Sequence, residues 1–224
     1  MVMVKRNDDV GEVKSGEVVI LLHGLFSSAL LLKPLEWRLR GLGYVVENWN
    51  YPGFGGVIED HGKRLWDKLM AYDGDEGVDR IHLVGHSMGG IVIRSALSLG
   101  LPRKLHRVVM IATPNKGSHV ARILNGFAPW LSRMLGQISD ADDSFVNRLP
   151  WVIEGEGGGE FDLEIGLLMA RHDRSVRRSS VDLGNWKDRA IVPSLHSLTL
   201  LLGETHRQVA GFLDRGEFDG PRRG

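Results

Sequence analysis

A chain of 224 residues suffices for one domain with a full-sized core. Lys plus Arg and Asp plus Glu number 28 each, so the overall balance carries no electrostatic footprint for nucleic acid or an anionic membrane. With no cysteine, disulfides, thiolate catalysis and cysteine-ligated metals are excluded.

Residues 1–9 lack an apolar h-region, so no signal peptide is visible and cytoplasm is the default expectation. The longest apolar runs are too short to span a bilayer, so no transmembrane segment is expected. Residues 18–22 (VVILL) read as a strand rich in β-branched residues. Pro34 suits the first turn of a helix, and Leu35, Leu39 and Leu42 follow at helical spacing. Residues 44–49 are the next strand, and Leu65, Trp66, Leu69 and Met70 the next helical stripe. Residues 80–84 predict a central strand with a helix behind it. Further strands are predicted at 107–112, 161–169 and 190–192. Thr205 and Gln208 suit a capping box for a final helix that buries Val209, Phe212 and Leu213. The Gly-rich acidic stretch 154–160 reads as a connector, and the tail 216–224 as flexible. This alternation predicts a single α/β domain over 1–224, with a mostly parallel sheet and helices on both faces.

The stretch from 118 to about 150 breaks the rhythm. Val120, Ile123, Leu124 and Phe127 make one apolar stripe, which Leu131, Met134 and Leu135 extend beyond Pro129. It is either an ordinary covering helix pair or a small helical cap over the ligand site, which in open α/β sheets lies outside the strands' carboxyl ends.

Gly85-His86-Ser87-Met88-Gly89 sits between the central strand and its helix. A sharp strand–turn–helix junction lifts a serine hydroxyl above the sheet edge, and that context gives G-x-S-x-G its meaning. A serine nucleophile needs a base, and the base needs an orienting acid. His196, in the loop after the last strand, lies at the same sheet edge as Ser87. His206, placed near the solvent face of the final helix, is the alternative; His82, inside a strand, reads as structural, and His86, in the turn, is expected to point away from the neighbouring hydroxyl. For the acid, Asp173 follows a strand's carboxyl end, while Asp182 and Asp188 in the next loop stay possible. The amides of Met88 and Leu25 are candidates for an oxyanion hole, with His23 bracing the latter's loop. Phe26, Tyr51, Phe54, Phe127 and Leu131 are candidate walls of a substrate pocket.

Residues 21–25 (LLHGL), 85–90 (GHSMGG) and 112–118 (ATPNKGS), together with Asp173, Val176 and His196-Ser197, resemble α/β-hydrolases of the bacterial lipase/esterase type. The matching pieces reach from residue 18 to 213. The resemblance implies the three-layer α/β-hydrolase fold, here with a sheet of about six strands that lacks the first hairpin of larger relatives. It implies a Ser87–Asp173–His196 triad that hydrolyses carboxylic esters through an acyl-enzyme, without metal or organic cofactor. The substrate would be a small-molecule ester or lipid. A thioesterase or amidase would use the same residues, and a non-catalytic binding module of this fold is the rival from another class. Two departures stand out. Arg174 occupies the place of the usual glycine after the acid, and 171–178 is rich in arginine. That basic segment is either simply solvated or drawn to an anionic substrate or headgroup.

Overall fold

The computed structural model describes residues 14, 16–53, 56–127, 132–150, 153 and 162–220, and of 124–127 and 132–134 the backbone alone. Six strands form one sheet: β1 (Glu17–Leu22), β2 (Val45–Trp49), β3 (Arg80–His86), β4 (Leu105–Ile111), β5 (Glu164–Ala170) and β6 (Asp188–Val192). Their spatial order is β2-β1-β3-β4-β5-β6, and every neighbouring pair is parallel.

Alternation along each strand sorts its side chains into two cores. Val18, Ile20 and Leu22 of β1 join Ile81 and Leu83 of β3 and Val108 and Met110 of β4 on one face. There they meet α2 (Ile58–Asp73) and α3 (Met88–Leu97) through Leu65, Leu69, Ile91 and Val92. Val19, Leu21, Val84, Val109 and Ile111 point to the other face. They pack on Leu35 and Leu39 of α1 (Lys33–Gly41) and on Val209, Phe212 and Leu213 of α8 (Gly203–Arg215). The result is three layers.

Between β4 and β5 stand the helices α4 (His119–Phe127), α5 (Ser132–Gln137) and α6 (Phe145–Arg148). Helix α4 begins at Ser118, whose hydroxyl accepts from the Ala121 amide at 3.2 Å in the manner of an N-cap. A short α7 (Arg178–Val181) lies between β5 and β6, and 3₁₀ turns occupy Ala29–Leu32 and Ser197–Leu201.

One local expectation is corrected. Helix α8 starts at Gly203, with Leu202 as its N-cap and no side-chain cap, so Thr205 and Gln208 form no capping box. Gln208 instead donates to Glu204 at 2.7 Å and to the Asp219 carbonyl at 2.8 Å. Gly216 closes α8 at φ +74°, and the buried Phe218 ring lies 4.8 Å from that of Phe212, tilted by 33°. Residues 221–224 lie outside the described chain, as does residue 161, the predicted start of β5.

The chain leaves β1 for β2 on one side and reaches β3 on the other. The crevice that such a switch opens lies at the carboxyl ends of β1 and β3.

Candidate active site

Ser87 occupies the turn from β3 into α3 at φ +53° and ψ −121°. Its amide donates to the Ile111 carbonyl at 2.8 Å, which pins the turn to β4. The described non-glycine residues with positive φ are Phe26, Ser87 and Ala112, and they follow β1, β3 and β4 at the same sheet edge. Strained backbone of this kind costs about 1–3 kcal/mol per residue and persists where the surroundings over-determine it. Two glycines allow the close packing. A Cβ on Gly89 would stand 2.5 Å from the Leu22 carbonyl oxygen, and one on Gly24 would stand 2.9 Å from the Ser87 Cβ. The β1 loop and the serine turn therefore touch directly.

His196 and Asp173 arrive from the loops after β6 and β5. His196 Nε2 lies 2.9 Å from Ser87 Oγ, and its Nδ1 lies 2.6 Å from Asp173 Oδ2. The other carboxylate oxygen of Asp173 accepts the amides of Ser175 and Val176, each at 2.8 Å. Burial alone would raise this carboxyl, but the His196 contact and the two amides outweigh it and hold Asp173 below the usual carboxylate range. An ionised Asp173 fixes the proton of His196 on Nδ1 and leaves Nε2 free to take one from Ser87. Arg174 is exposed, so the missing glycine leaves the turn made by the next two amides intact.

The alternatives to these residues are engaged elsewhere. Asp182 accepts from the Trp186 indole at 3.0 Å, and Asp188 from the Phe218 amide at 2.9 Å. His206 is buried rather than on the solvent side of α8, and its Nε2 donates to the Leu200 carbonyl at 2.7 Å. His82 is buried within β3 and pairs with Glu17 at 3.0 Å, at the opposite end of the sheet.

Met88 is the first residue of α3, where an amide has no partner within the helix. Leu25 stands on the β1 loop against the serine turn. His23 braces that loop by donating from Nε2 to the Tyr51 carbonyl at 3.0 Å, while the Tyr51 hydroxyl donates back to the His23 carbonyl.

A cavity of about 200 Å³ opens on Ser87 and His196. Leu25, Phe26, Pro114, Val120, Ala121, Leu135, Ile138 and Val176 give it a mainly apolar wall, with the hydroxyl-bearing Ser118, Ser175 and Ser197 among them. Phe26 is thus on the wall, and the stretch between β4 and β5 contributes to it. Tyr51 is not: it is buried behind the His23 loop, stacked 4.4 Å from that imidazole. Phe54, Leu131 and the Phe127 side chain lie outside the described residues. Ala121 and Ile138 were not singled out from sequence. Ala121 lies beside the Val120 stripe, but Ile138, in the turn after α5, carries no periodic signal.

Arg94, in the middle of α3, also escapes a sequence reading. Its buried guanidinium donates to the carbonyls of Asn115, Leu149 and Pro150 at 2.8, 3.2 and 2.9 Å, tying the serine helix to both ends of the segment above it. Burial pushes it down to about 10, which leaves it charged at neutral pH. Among the described residues no group of three His, Asp or Glu side chains is gathered as a metal site would need. Nor is any helix there long and apolar enough to cross a membrane.

A sequence model of the alpha/beta hydrolase family matches residues 19–221. The chain belongs to that family. Solved structures agree on the fold. The mature lipase BlEst2 of Bacillus licheniformis is 15% identical, with a TM-score of 0.64 over 89% of this chain and 91% of that one. A putative hydrolase of the alpha/beta superfamily from Xanthomonas campestris pv. campestris is 16% identical, with a TM-score of 0.58 over 89% and 98%. An extracellular alpha/beta-hydrolase from a Paenibacillus species is 18% identical, with a TM-score of 0.57 over 88% and 98%. No curated protein sequence matches the chain. Within the family frame, the carboxyl edge of the sheet holds the hydrogen-bonded chain of Asp173, His196 and Ser87, the two candidate amides and the mainly apolar cavity.

Proposed function

We propose that the protein is a serine hydrolase of carboxylic esters. The observation that carries the reading is the continuous chain from Asp173 through His196 to Ser87, ending on the wall of a mainly apolar cavity.

In this reading Ser87 Oγ attacks the ester carbonyl as its proton passes to His196 Nε2. The Ser87–acyl bond forms, and the carbonyl oxygen gains charge facing the Leu25 and Met88 amides. His196 then returns the proton to the departing alcohol, and the carbon–oxygen bond to that alcohol breaks. Water, deprotonated by the same imidazole, attacks the acyl-enzyme and releases the acid and Ser87. Asp173 stays ionised throughout and balances the charged imidazolium.

The test is hydrolysis of p-nitrophenyl esters from acetyl to palmitoyl, with a thioester and an anilide alongside. We expect ester turnover that is lost in Ser87→Ala, and labelling of the native protein by a fluorophosphonate. Faster turnover of the thioester or anilide would reassign the bond cleaved. A folded protein that neither turns over esters nor labels would be a binding module.

A further inference from the structure

Eleven large apolar side chains are well exposed among the described residues, and six of them crowd the sheet edge that carries Ser87. Phe26 and Leu30 follow β1, Ile123 is on α4, and Leu195, Leu198 and Leu201 lie within five residues of His196 in the chain. Leu30 is 73% exposed and the others about half. Single exposed leucines are ordinary on a protein surface, but a cluster marks an interaction site. The two 3₁₀ turns, which carry Leu30, Leu198 and Leu201, are in contact with each other, and Phe26 and Ser197 both line the cavity.

A row of cations borders it. Arg171, Arg174, Arg177 and Arg178 are all exposed. Their segment lies alongside the leucine-bearing loop, with the amides of Arg171 and His172 donating to the carbonyls of Val192 and Ser194 at 2.8 and 2.9 Å. On the same edge Asp182 faces Lys116 at 3.8 Å and Asp140 faces Arg122 at 3.0 Å, while Asp142 and Asp143 are exposed and the arginines outnumber them. The zero net charge of the whole chain conceals this local excess.

We propose that this rim docks the protein on an anionic lipid surface, with the leucines entering the headgroup boundary and the arginines facing lipid phosphates. Phe26 lines the cavity itself, and Leu195 and Leu198 adjoin its lining residues His196 and Ser197 in the chain. A protein covering them would close the cavity, whereas a lipid surface would bring acyl chains to it. This choice of occupant rests on reading the cavity as an acyl site, but docking itself needs no hydrolysis.

Co-sedimentation of the Ser87→Ala protein with vesicles isolates docking from turnover. Vesicles of phosphatidylcholine alone are compared with vesicles that also contain phosphatidylglycerol. We expect binding to the anionic vesicles at least about tenfold tighter than to the neutral ones, weakening as salt screens the arginines. Arg171→Ser with Arg177→Ser should weaken it roughly twentyfold. Leu198→Glu with Leu201→Glu should abolish it while leaving the circular-dichroism melt in place. In the Ser87 background both rim variants should still hydrolyse soluble p-nitrophenyl butyrate at the native rate. Loss of that hydrolysis in the native protein would sink the proposed function and leave docking standing. No binding, equal binding to both vesicles, or unchanged binding by the rim variants would overturn the docking proposal. So would a dimer that Leu198→Glu with Leu201→Glu dissociates, which would make the rim a contact between copies. Equal binding to soluble polyglutamate would overturn it too, assigning the arginines to an acidic protein.

Discussion

His86 Nε2 donates to the backbone carbonyl of His196 over 3.3 Å, and the two rings lie 5.0 Å apart. The opposite nitrogen of His86 faces Gly24, where a Cβ would stand 3.1 Å away. One buried imidazole in the serine turn therefore touches both the loop of the proposed base and the loop of the proposed oxyanion amide. Small displacements of reacting groups are costly. We predict that His86→Leu lowers kcat about 10- to 100-fold with little change in KM, and that His86→Gln, which keeps a donor, recovers most of it. Equal losses in the two variants, or an effect confined to KM, would contradict a positioning role.

The same residue predicts acid sensitivity. Burial first, and then the neighbouring His196, push His86 down to about 3. Burial and Arg107 push His106 down to about 4. In the unfolded chain both return to about 6.5. The folded state thus refuses protons that the unfolded chain accepts. Stability is full above about pH 6.5 and falls as pH drops toward the folded values, by up to about 1.4 kcal/mol per pH unit for His86. The depressed carboxyl of Asp173 adds a loss of the same sign at lower pH. Urea midpoints from pH 8 to 4 should be flat and then decline, and His86→Gln should flatten the decline. An unchanged slope in that variant would refute the assignment.

Substitution of the hydrogen-bonded chain should separate the histidines. Ser87→Ala and His196→Ala should each cost about 10⁴- to 10⁶-fold in kcat, and Asp173→Asn should be severe but milder. His206→Ala should act on stability instead, because it removes a buried bond to Leu200, at about 1–2 kcal/mol. Kinetics and urea melts on each purified variant check this. Near-native activity in Asp173→Asn would mean that another group orients His196.

Much of this arrangement is legible in the chain. Runs such as 18–22 are apolar at every position because a parallel strand is buried on both faces, and that pattern needs no tertiary information. The G-x-S-x-G turn is legible because its neighbours spell a strand and a helix. What stays hidden depends on contacts between distant residues. Tyr51 looks like a free aromatic before a proline until the His23 ring stacks on it. His206 looks solvent-facing because the 3₁₀ turn that supplies its acceptor has no periodic signature. Arg94 reads as a polar break in an apolar helix, and its three carbonyl partners lie 21 to 56 residues away.

Arg94 yields a stability prediction of its own. Arg94→Met fills similar space but leaves the carbonyls of Asn115, Leu149 and Pro150 without that donor. Buried groups stripped of a partner cost about 1–3 kcal/mol each, partly offset here by no longer burying a charge. We expect a net loss of about 3 kcal/mol, or roughly 6–12 °C in Tm for a chain of this size. Differential scanning calorimetry of the variant checks it. A Tm within a degree or so of the native value would show that the segment above the sheet is held by its apolar contacts alone.

The cavity wall predicts how acyl length is read. Val120 is partly exposed at the start of α4 and faces the cavity, so a larger side chain can grow into that space without disturbing the core. Each acyl methylene buried against the wall contributes about 0.8 kcal/mol, close to fourfold in kcat/KM. Val120→Phe would take the place of several methylenes. It should leave acetyl and butyryl esters within about threefold of native while lowering octanoyl esters tenfold or more. The measurement is kcat/KM across acetyl, butyryl, octanoyl and palmitoyl p-nitrophenyl esters, beside the thermal midpoint. A uniform drop across all chain lengths would place the alcohol rather than the acyl group against Val120. An unchanged profile with a lowered midpoint would show that this stretch is core packing rather than a cap.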